Sequence, residues 1–263
     1  MKSGLFVSGF LLLMMFGCIS SQQQLAAIKI SIAGACLTKG DTAIALLHLD
    51  SIQRLYPEAI LEVKSARKLS NDIYASKISI QRKNHDDVVR IIDSLIKEFS
   101  PDKGEFEKYT NYIHNSQNGD KNWTRSYVQV VVNQMGDLSL LSNYYGSSWI
   151  NHTSMWIQVD GITTNTDSVS LDNINNHHNE FNGANWEKVT YRSPQAEKVI
   201  EAIATCPDKK VKAFFKGKSS FAVWVEETDK KAIKSAWELS KALKVKVAAE
   251  KAISELEKKI KPE

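Results

Sequence analysis

Two long segments with helical periodicity, one on each side of a strand-like middle, constrain the fold of this chain more than any other feature. Residues 58–99 repeat apolar side chains three and four positions apart, with a polar interruption at residues 81–87 that resembles a stutter or a hairpin corner. In the C-terminal segment, residues 228–263, Thr228 caps a similar stripe that runs to Ile260, and a helix over that run is about 48 Å long. Neither stripe is stable alone in water, so we expect the two helices to pack antiparallel as a coiled-coil stalk.

The middle of the chain, residues 100–227, is predicted to be an antiparallel, β-rich head. Alternating or β-branched stretches occur at residues 125–132, 138–145, 154–159, 162–165, 186–191, 211–215 and 221–225. Pro194 begins one helical pattern that continues through Ala204. About six or seven strands and one helix, inserted between two long helices, predict an α+β fold.

A helical hairpin is predicted ahead of the first long helix. Its first helix ends at Gly40, Asp41 is suited to cap the second, and Pro57 follows the end of the second. The pair resembles one tetratricopeptide-type hairpin, but a solenoid needs about three repeats and the sequence has no second copy. Residues 25–99 are therefore interpreted as a hairpin plus the long helix.

The N-terminal segment has the features of an export signal. Lys2 precedes an apolar run at residues 5–16, which is shorter than the ~20 residues of a membrane-spanning helix and suits the core of a signal peptide. Gly17-Cys18 at its end resembles the lipobox of bacterial lipoproteins. That resemblance implies a signal peptide at residues 1–17 and a Cys18 that carries lipid, including palmitate, after cleavage.

Residues 18–24 are then expected to be a short polar tether between membrane and fold. Some surface-exposed lipoproteins carry acidic residues directly after the lipidated cysteine, and this tether has none. The expected location is the cell envelope, with the protein lipid-anchored and facing the periplasm.

Charge and cysteine content exclude some classes of protein. The formal charge of +4 becomes +3 when Lys2 is removed with the signal peptide (+4 − 1), and it is too small and too evenly spread to indicate nucleic-acid binding. Cys36 and Cys206 could pair in an oxidising compartment. Since Cys36 follows small residues on an apolar helix face, a buried free thiol is the simpler interpretation.

No catalytic motif is recognisable, and the densest polar segment is residues 172–180. Such an Asn- and Asp-rich stretch is typical of a surface loop that hydrogen-bonds its own backbone. A ligand or metal site is the alternative, in which His152 joins Asp172 and either His177 or His178. We expect no cofactor.

Tryptophans in the predicted head are a second set of candidates. Trp123, Trp149, Trp156 and Trp186 could stack on sugar rings or line a peptide groove, although core positions are the more common role. Trp156 alternates with polar neighbours and is expected on an exposed face.

Four Asp-Ser/Thr-aliphatic triplets match the acceptor pattern of an O-glycosylation system of some gut-associated bacteria. The acceptors would be Thr42, Ser51, Ser94 and Ser168. Such pairs also suit helix starts, so both interpretations stand.

Several short segments together resemble a family of uncharacterised lipoproteins of gut anaerobes, in which a helical N-terminus precedes a β-head. These segments are residues 109–114, 123–126, 149–153, 176–178 and 186–189. The resemblance implies compartment and architecture and no activity. We therefore expect a non-catalytic binding protein whose partner is an envelope protein, a glycan or a peptide. The alternatives are a metal-dependent envelope enzyme using the head histidines, and a scaffold of an envelope assembly complex that uses the hairpin.

Overall fold

The computed structural model describes residues 21–105 and 107–262. The predicted signal peptide and Cys18 lie outside these residues. The described chain forms two compact units, one made of residues 21–79 with 254–262 and the other of residues 80–253. No described helix has the combination of length and apolar composition that is needed to cross a bilayer.

The first unit is helical and begins earlier than expected. Helix α1 spans Ser21–Thr38 and α2 spans Thr42–Leu55, and the Asp41 side chain accepts a hydrogen bond from the Ile44 amide as the predicted cap. The tether prediction for residues 18–24 was therefore wrong from Ser21 onwards. Three consecutive glutamines are good helix formers, so the polar stretch continues the helix instead of separating it from the membrane.

Both predicted long helices are present, but the first is shorter than the predicted 58–99. Helix α3 runs without a break over Ile60–Leu95, so the polar interruption is not a hairpin corner, and Phe99 belongs to a strand instead. The three-and-four spacing of residues 58–99 puts Ile80 on the apolar stripe, but Ile80 is exposed and Ile78 is buried. A 3.6-residue turn drifts against a seven-residue repeat, which moves the buried face around the helix. The C-terminal helix, α6, spans Glu227–Glu257.

The second unit contains two antiparallel sheets, with more strands than the sequence indicated. The six-stranded sheet has the order β1-β2-β3-β4-β8-β7, and the four-stranded sheet has the order β10-β9-β5-β6. Their bounds are β1 Phe99–Asp102, β2 Asn111–His114, β3 Tyr127–Asn133, β4 Leu138–Gly146, β5 His152–Val159, β6 Ile162–Asn165, β7 Asn176–Phe181, β8 Ala184–Tyr191, β9 Val211–Gly217 and β10 Ser220–Trp224. The α+β class is confirmed. Strands β1, β2 and β7 were not predicted.

The surface-loop prediction for residues 172–180 was also wrong in part. Residues from Asn176 onwards form β7, the edge strand that pairs with β8. An edge strand can be polar on both faces, so it shows no apolar alternation, and its pairing partner decides its conformation.

One core joins the inner faces of both sheets. Val130, Leu140 and Val189 from the larger sheet pack in the same buried cluster as Ile157 and Phe215 from the smaller sheet. Helix α5 (Pro194–Ala204), a one-turn helix α4 (Gly119–Asn122) and part of α6 complete this unit. Both cysteines of the described chain, Cys36 and Cys206, are free thiols.

Candidate ligand-binding site

His152, the central residue of the predicted metal site, is fully buried at the start of β5. Its Nδ1 lies 2.7 Å from Glu187 Oε2, and its Nε2 lies 2.7 Å from Ser142 Oγ. The Ser142 hydroxyl in turn lies 3.2 Å from the Tyr191 hydroxyl. Both ring nitrogens therefore have partners inside the protein.

Glu187 is held as a buried anion by the turn before β5. Its two carboxylate oxygens accept hydrogen bonds from the amides of Ile150, Asn151 and His152 at 2.7, 2.9 and 2.9 Å. Burial acts to raise the pKa of Glu187, but hydrogen bonds from the His152 side chain and from the backbone amides outweigh burial and lower this pKa to about 2. Asn151 has a φ of 50°, so successive amides converge on one carboxylate as in an anion-binding nest.

The sequence Ser142–His152–Glu187 has the connectivity of an acyl-transfer triad. The Ser142 side chain is fully buried, however, and a nucleophile must be reached by its substrate. Since Ser142 lies on β4, His152 on β5 and Glu187 on β8, the network links the two sheets across their shared core. We interpret it as a structural polar network.

Of the other predicted ligands, only His178 comes near His152, and it does so through Glu187, because His178 Nε2 lies 4.0 Å from Glu187 Oε2. His177 and His178 are neighbours on β7 and point to opposite faces, and the His178 ring stacks on Trp149 with centroids 5.2 Å apart. Asp172 is exposed, and a hydrogen bond with Ser170 lowers its pKa. Within the described residues, no three His, Cys, Asp or Glu side chains are placed to hold one metal ion. The joint site predicted from these residues is not assembled.

Trp156 lies on the exposed face of the four-stranded sheet, as its alternation predicted. Lys216 Nζ sits 5.2 Å from its ring centroid, and Phe214 is its cross-strand partner on β9. This face is an aromatic and lysine ladder, an arrangement that is common on solvated sheet faces.

A different pair of the predicted tryptophans lines a concave site, which we call the aromatic cleft. The Trp123 and Trp186 rings meet edge to face, with centroids 6.4 Å apart and planes at 74°. The cavity has a volume of about 250 Å³. Its lining comprises Trp123, Thr124, Tyr145, Asn179, Asn182, Ala184 and Trp186.

Sheet register builds one wall of the cleft. Asn179, Trp186 and Tyr145 are direct cross-strand partners on β7, β8 and β4, so their side chains lie in a row on one face of the sheet. Asn182 and Gly183 both have positive φ, at 52° and 74°. This Asn-Gly pair forms the tight turn between β7 and β8 and places Asn182 at the rim.

The other wall of the cleft is Trp123, which follows α4 and whose neighbours in sequence are fixed by hydrogen bonds. Asn122 is buried and donates to the carbonyls of Ser116 and Asn118. Arg125 donates to Asn122 and makes a two-pronged ion pair with Asp229 at 2.7 and 2.8 Å. The ion pair raises the pKa of Arg125. These buried contacts fix the segment from which Trp123 projects.

The described lining of the cleft combines flat aromatic faces with amide and hydroxyl groups, and none of these lining residues is charged. Aromatic rings supply dispersion contact, and each Asn amide can both donate and accept. The volume is below the roughly 300–1,000 Å³ of pockets that enclose a drug-sized ligand. It therefore suits one ring of a larger neutral ligand.

Sequence reasoning identified Trp123 and Trp186 but missed Tyr145, Asn179 and Asn182. The Asn182-Gly183 dipeptide is the signal that could have found the β7–β8 hairpin. Register across three strands is not visible in a single sequence, so the row of partners could not be read from it.

Comparison of the chain with protein-family models, with curated proteins and with solved structures finds no match in any of the three.

Proposed function

We propose that this chain is a lipid-anchored envelope protein that binds a carbohydrate ring in the aromatic cleft. The observation that carries the proposal is the pair Trp123 and Trp186, set across a small cavity that also presents the amides of Asn179 and Asn182. The apolar face of a sugar ring packs on an aromatic ring, while its hydroxyls need groups that both donate and accept.

A carbohydrate fits the cleft better than a peptide. None of the described lining residues carries a charge to pair with termini or ionised side chains, and a cavity of about 250 Å³ is too small to enclose an extended strand of several residues. A peptide is the alternative outcome of the binding test.

The compartment and the stalk belong to the same proposal. Lys2, the apolar run and Gly17-Cys18 support export and lipidation at Cys18, with the protein facing the periplasm as a relative of the lipoproteins of gut anaerobes. Two contacts inside the second unit support antiparallel packing of α3 and α6. His85 Nε2 on α3 lies 3.4 Å from Glu250 Oε1 on α6, and the Ser235 hydroxyl of α6 donates at 3.0 Å to Glu98, which lies three residues after the end of α3.

The rival function, a metal-dependent enzyme, loses its main support in the head. It required His152 as an accessible ligand, and His152 is buried with both nitrogens hydrogen-bonded. Binding without chemistry is the function that the geometry favours.

The test uses a chain that begins at Ile19 and so retains every described residue. It is titrated with a panel of soluble neutral oligosaccharides, including glucan, mannan, xylan and peptidoglycan fragments, by calorimetry and tryptophan fluorescence. We expect at least one to bind, and Trp123→Ala to weaken it by on the order of tenfold to a hundredfold, as for an aromatic anchor.

Trp224→Ala is the matched control, because Trp224 is 57% exposed and Trp123 is 51% exposed. Trp224 lies on β10, in the other sheet. The proposal fails if no oligosaccharide binds, or if both variants weaken binding equally. If only peptides bind, with the same dependence on Trp123, the aromatic cleft remains the binding site but its ligand is not a carbohydrate.

A further inference from the structure

The hairpin of α1 and α2 has an unusual distribution of apolar side chains. On α1 the fully buried residues are the small Ala26 and Ala33, and on α2 Ala45 is buried together with Leu49 and Ile52. Six further large aliphatic side chains are exposed: Leu25, Ile28 and Ile32 on α1, and Ile44, Leu47 and Leu55 on α2. Ile28 is 55% exposed and Leu47 is 71% exposed.

These exposed residues form two stripes on one side of the hairpin. At about 100° per residue, the exposed stripe of each helix lies about two-thirds of a turn around the helix axis from the buried residues of that helix. Followed along the sequence, the sense of this rotation is the same in both helices. The helices pack on each other and are joined by a turn at residues 39–41, so they are antiparallel. Because the two helices run in opposite directions, equal rotations along their sequences place both exposed stripes on the same side of the hairpin.

The charge of α1 is as unusual as its apolar pattern. Lys29 is the only formally charged side chain among Ser21–Thr38, and the exposed positions between the aliphatic residues are Ser31, Ala27 and Ala35. A solvated helix face normally carries several charges. This face is apolar or neutral along its whole length.

We propose that this side of the hairpin lies on the surface of the lipid bilayer. The inference rests on the proposed lipidation of Cys18. The short length of chain between Cys18 and α1 is the reason to propose that a membrane covers this face. Cys18 is three residues before Ser21, so it can be no more than about 11 Å from the first residue of α1. With so short a connection, α1 begins at the depth of the lipid headgroups, where an apolar face is stabilised by insertion.

The hairpin is then a second contact with the membrane. The lipid holds the start of the chain, and a second apolar element that inserts at the headgroup boundary adds attachment in proportion to the apolar area it buries. The stripes supply that element without a spanning helix.

The test separates the hairpin from the acyl group by using the chain that begins at Ile19, which has no Cys18. Binding is measured by flotation with vesicles of equal parts phosphatidylcholine and phosphatidylglycerol. The triple variant L25Q/I28Q/I32Q removes the stripe of α1, and it is expected to reduce the vesicle-bound fraction by on the order of tenfold or more. Circular dichroism checks that the variant is still helical.

The control is I162Q/L171Q/I174Q, which removes three exposed aliphatic residues from the second unit. It is expected to bind vesicles as the wild type does. Equal loss in both triple variants, or no vesicle binding by the wild type, overturns the proposal. So does a dimer in light scattering that L25Q/I28Q/I32Q dissociates, because a second copy would then cover the face.

If the L25Q/I28Q/I32Q chain itself unfolds, the acylated full-length protein gives the answer. An environment-sensitive fluorophore on I28C, in a background of Cys36→Ser and Cys206→Ser, should be quenched by spin-labelled lipids, and the same label on I174C should not. Sugar binding at the cleft and palmitate at Cys18 are measured separately, so their failure is distinguishable from failure of the hairpin proposal.

Discussion

His152 Nδ1 lies 2.7 Å from Glu187 Oε2, and this contact joins the first residue of β5 to the middle of β8. Both side chains are fully buried. The pair therefore ties the four-stranded sheet to the six-stranded sheet in the interior of the second unit. A buried carboxylate is costly unless its hydrogen-bonding capacity is filled, and three backbone amides fill the remainder for Glu187.

Replacing Glu187 with Gln should make the free energy of unfolding depend less on pH in the acidic range. The folded-state pKa of about 2 lies below the ordinary 4.5, so ionised Glu187 contributes stability that is complete above about pH 4.5 and is lost as the pH falls toward 2. The shift corresponds to about 3 kcal/mol at neutral pH. Urea unfolding at a series of pH values, followed by tryptophan fluorescence, measures this contribution.

We expect E187Q to be less stable at neutral pH and to lose less stability on acidification than the wild type. A variant with the same acid slope as the wild type would show that another carboxyl group dominates that slope. Sugar binding at the aromatic cleft should be unchanged by E187Q once the protein is folded, because Glu187 faces away from Trp186 on the same strand.

Gly217 should tolerate no side chain, because it packs under the turn that holds Glu187. A Cβ at this position would lie 2.1 Å from Asn151 O and 2.5 Å from His152 Cα, both of which are backbone atoms. Gly217→Ala must displace that turn, and we expect a loss of about 3 kcal/mol or more in the free energy of unfolding. Gly119→Ala is the control, since a Cβ at Gly119 has open space. Similar unfolding midpoints for the two variants would contradict the prediction.

Much of the fold could be predicted because its elements carry their own local signal. Helix α5 and strand β6 match the predicted bounds, and alternation located β3, β4 and β8 within two residues at each end. Strands β1, β2 and β7 are short or polar, and pairing with a neighbour decides their conformation. No periodicity in their own residues could indicate that pairing.

The polar network at Glu187 was only partly visible in the sequence. Alternation puts Glu187 on the same face as Val189 and Tyr191, which is a sign that a carboxylate faces the core. Its partner His152 lies 35 positions away in sequence, and only the packing of two sheets brings them together. The sequence therefore leaves a metal-ligand role open for His152 as an alternative, whereas the structure gives this histidine a structural role.

Asp229 should influence the aromatic cleft without lining it. Its carboxylate holds Arg125 through two hydrogen bonds and also accepts one from Gln117, and Arg125 fixes the segment that carries Trp123. Asp229→Asn leaves the partly exposed Arg125 guanidinium with only Glu226, which is 3.5 Å away and 62% exposed, and we expect about 3 kcal/mol of destabilisation, at the low end for a buried ion pair. The folded variant should also bind the oligosaccharide more weakly.

Asp208→Asn is the control for Asp229→Asn, because Asp208 is an exposed acid of the same unit. A D229N variant that is destabilised but binds sugar with wild-type affinity would show that Trp123 keeps its position without the ion pair. Loss of affinity in both variants would point to a general charge effect.

Cys18→Ala should abolish incorporation of radiolabelled palmitate while leaving the described fold intact, because Cys18 precedes the first described helix. Cys36→Ala is the matched control, since Cys36 is a free thiol inside α1 and lies outside the lipobox-like Gly17-Cys18. Palmitate in the C18A protein would reject the anchor. The apolar stripes of α1 and α2 make a further expectation specific, which the chain that begins at Ile19 tests because it has neither the apolar run at residues 5–16 nor Cys18. This chain should retain weak membrane association that salt does not release, because apolar insertion is not screened by ions. Adding L25Q/I28Q/I32Q to this chain should remove the remaining membrane association, whereas adding I162Q/L171Q/I174Q should not.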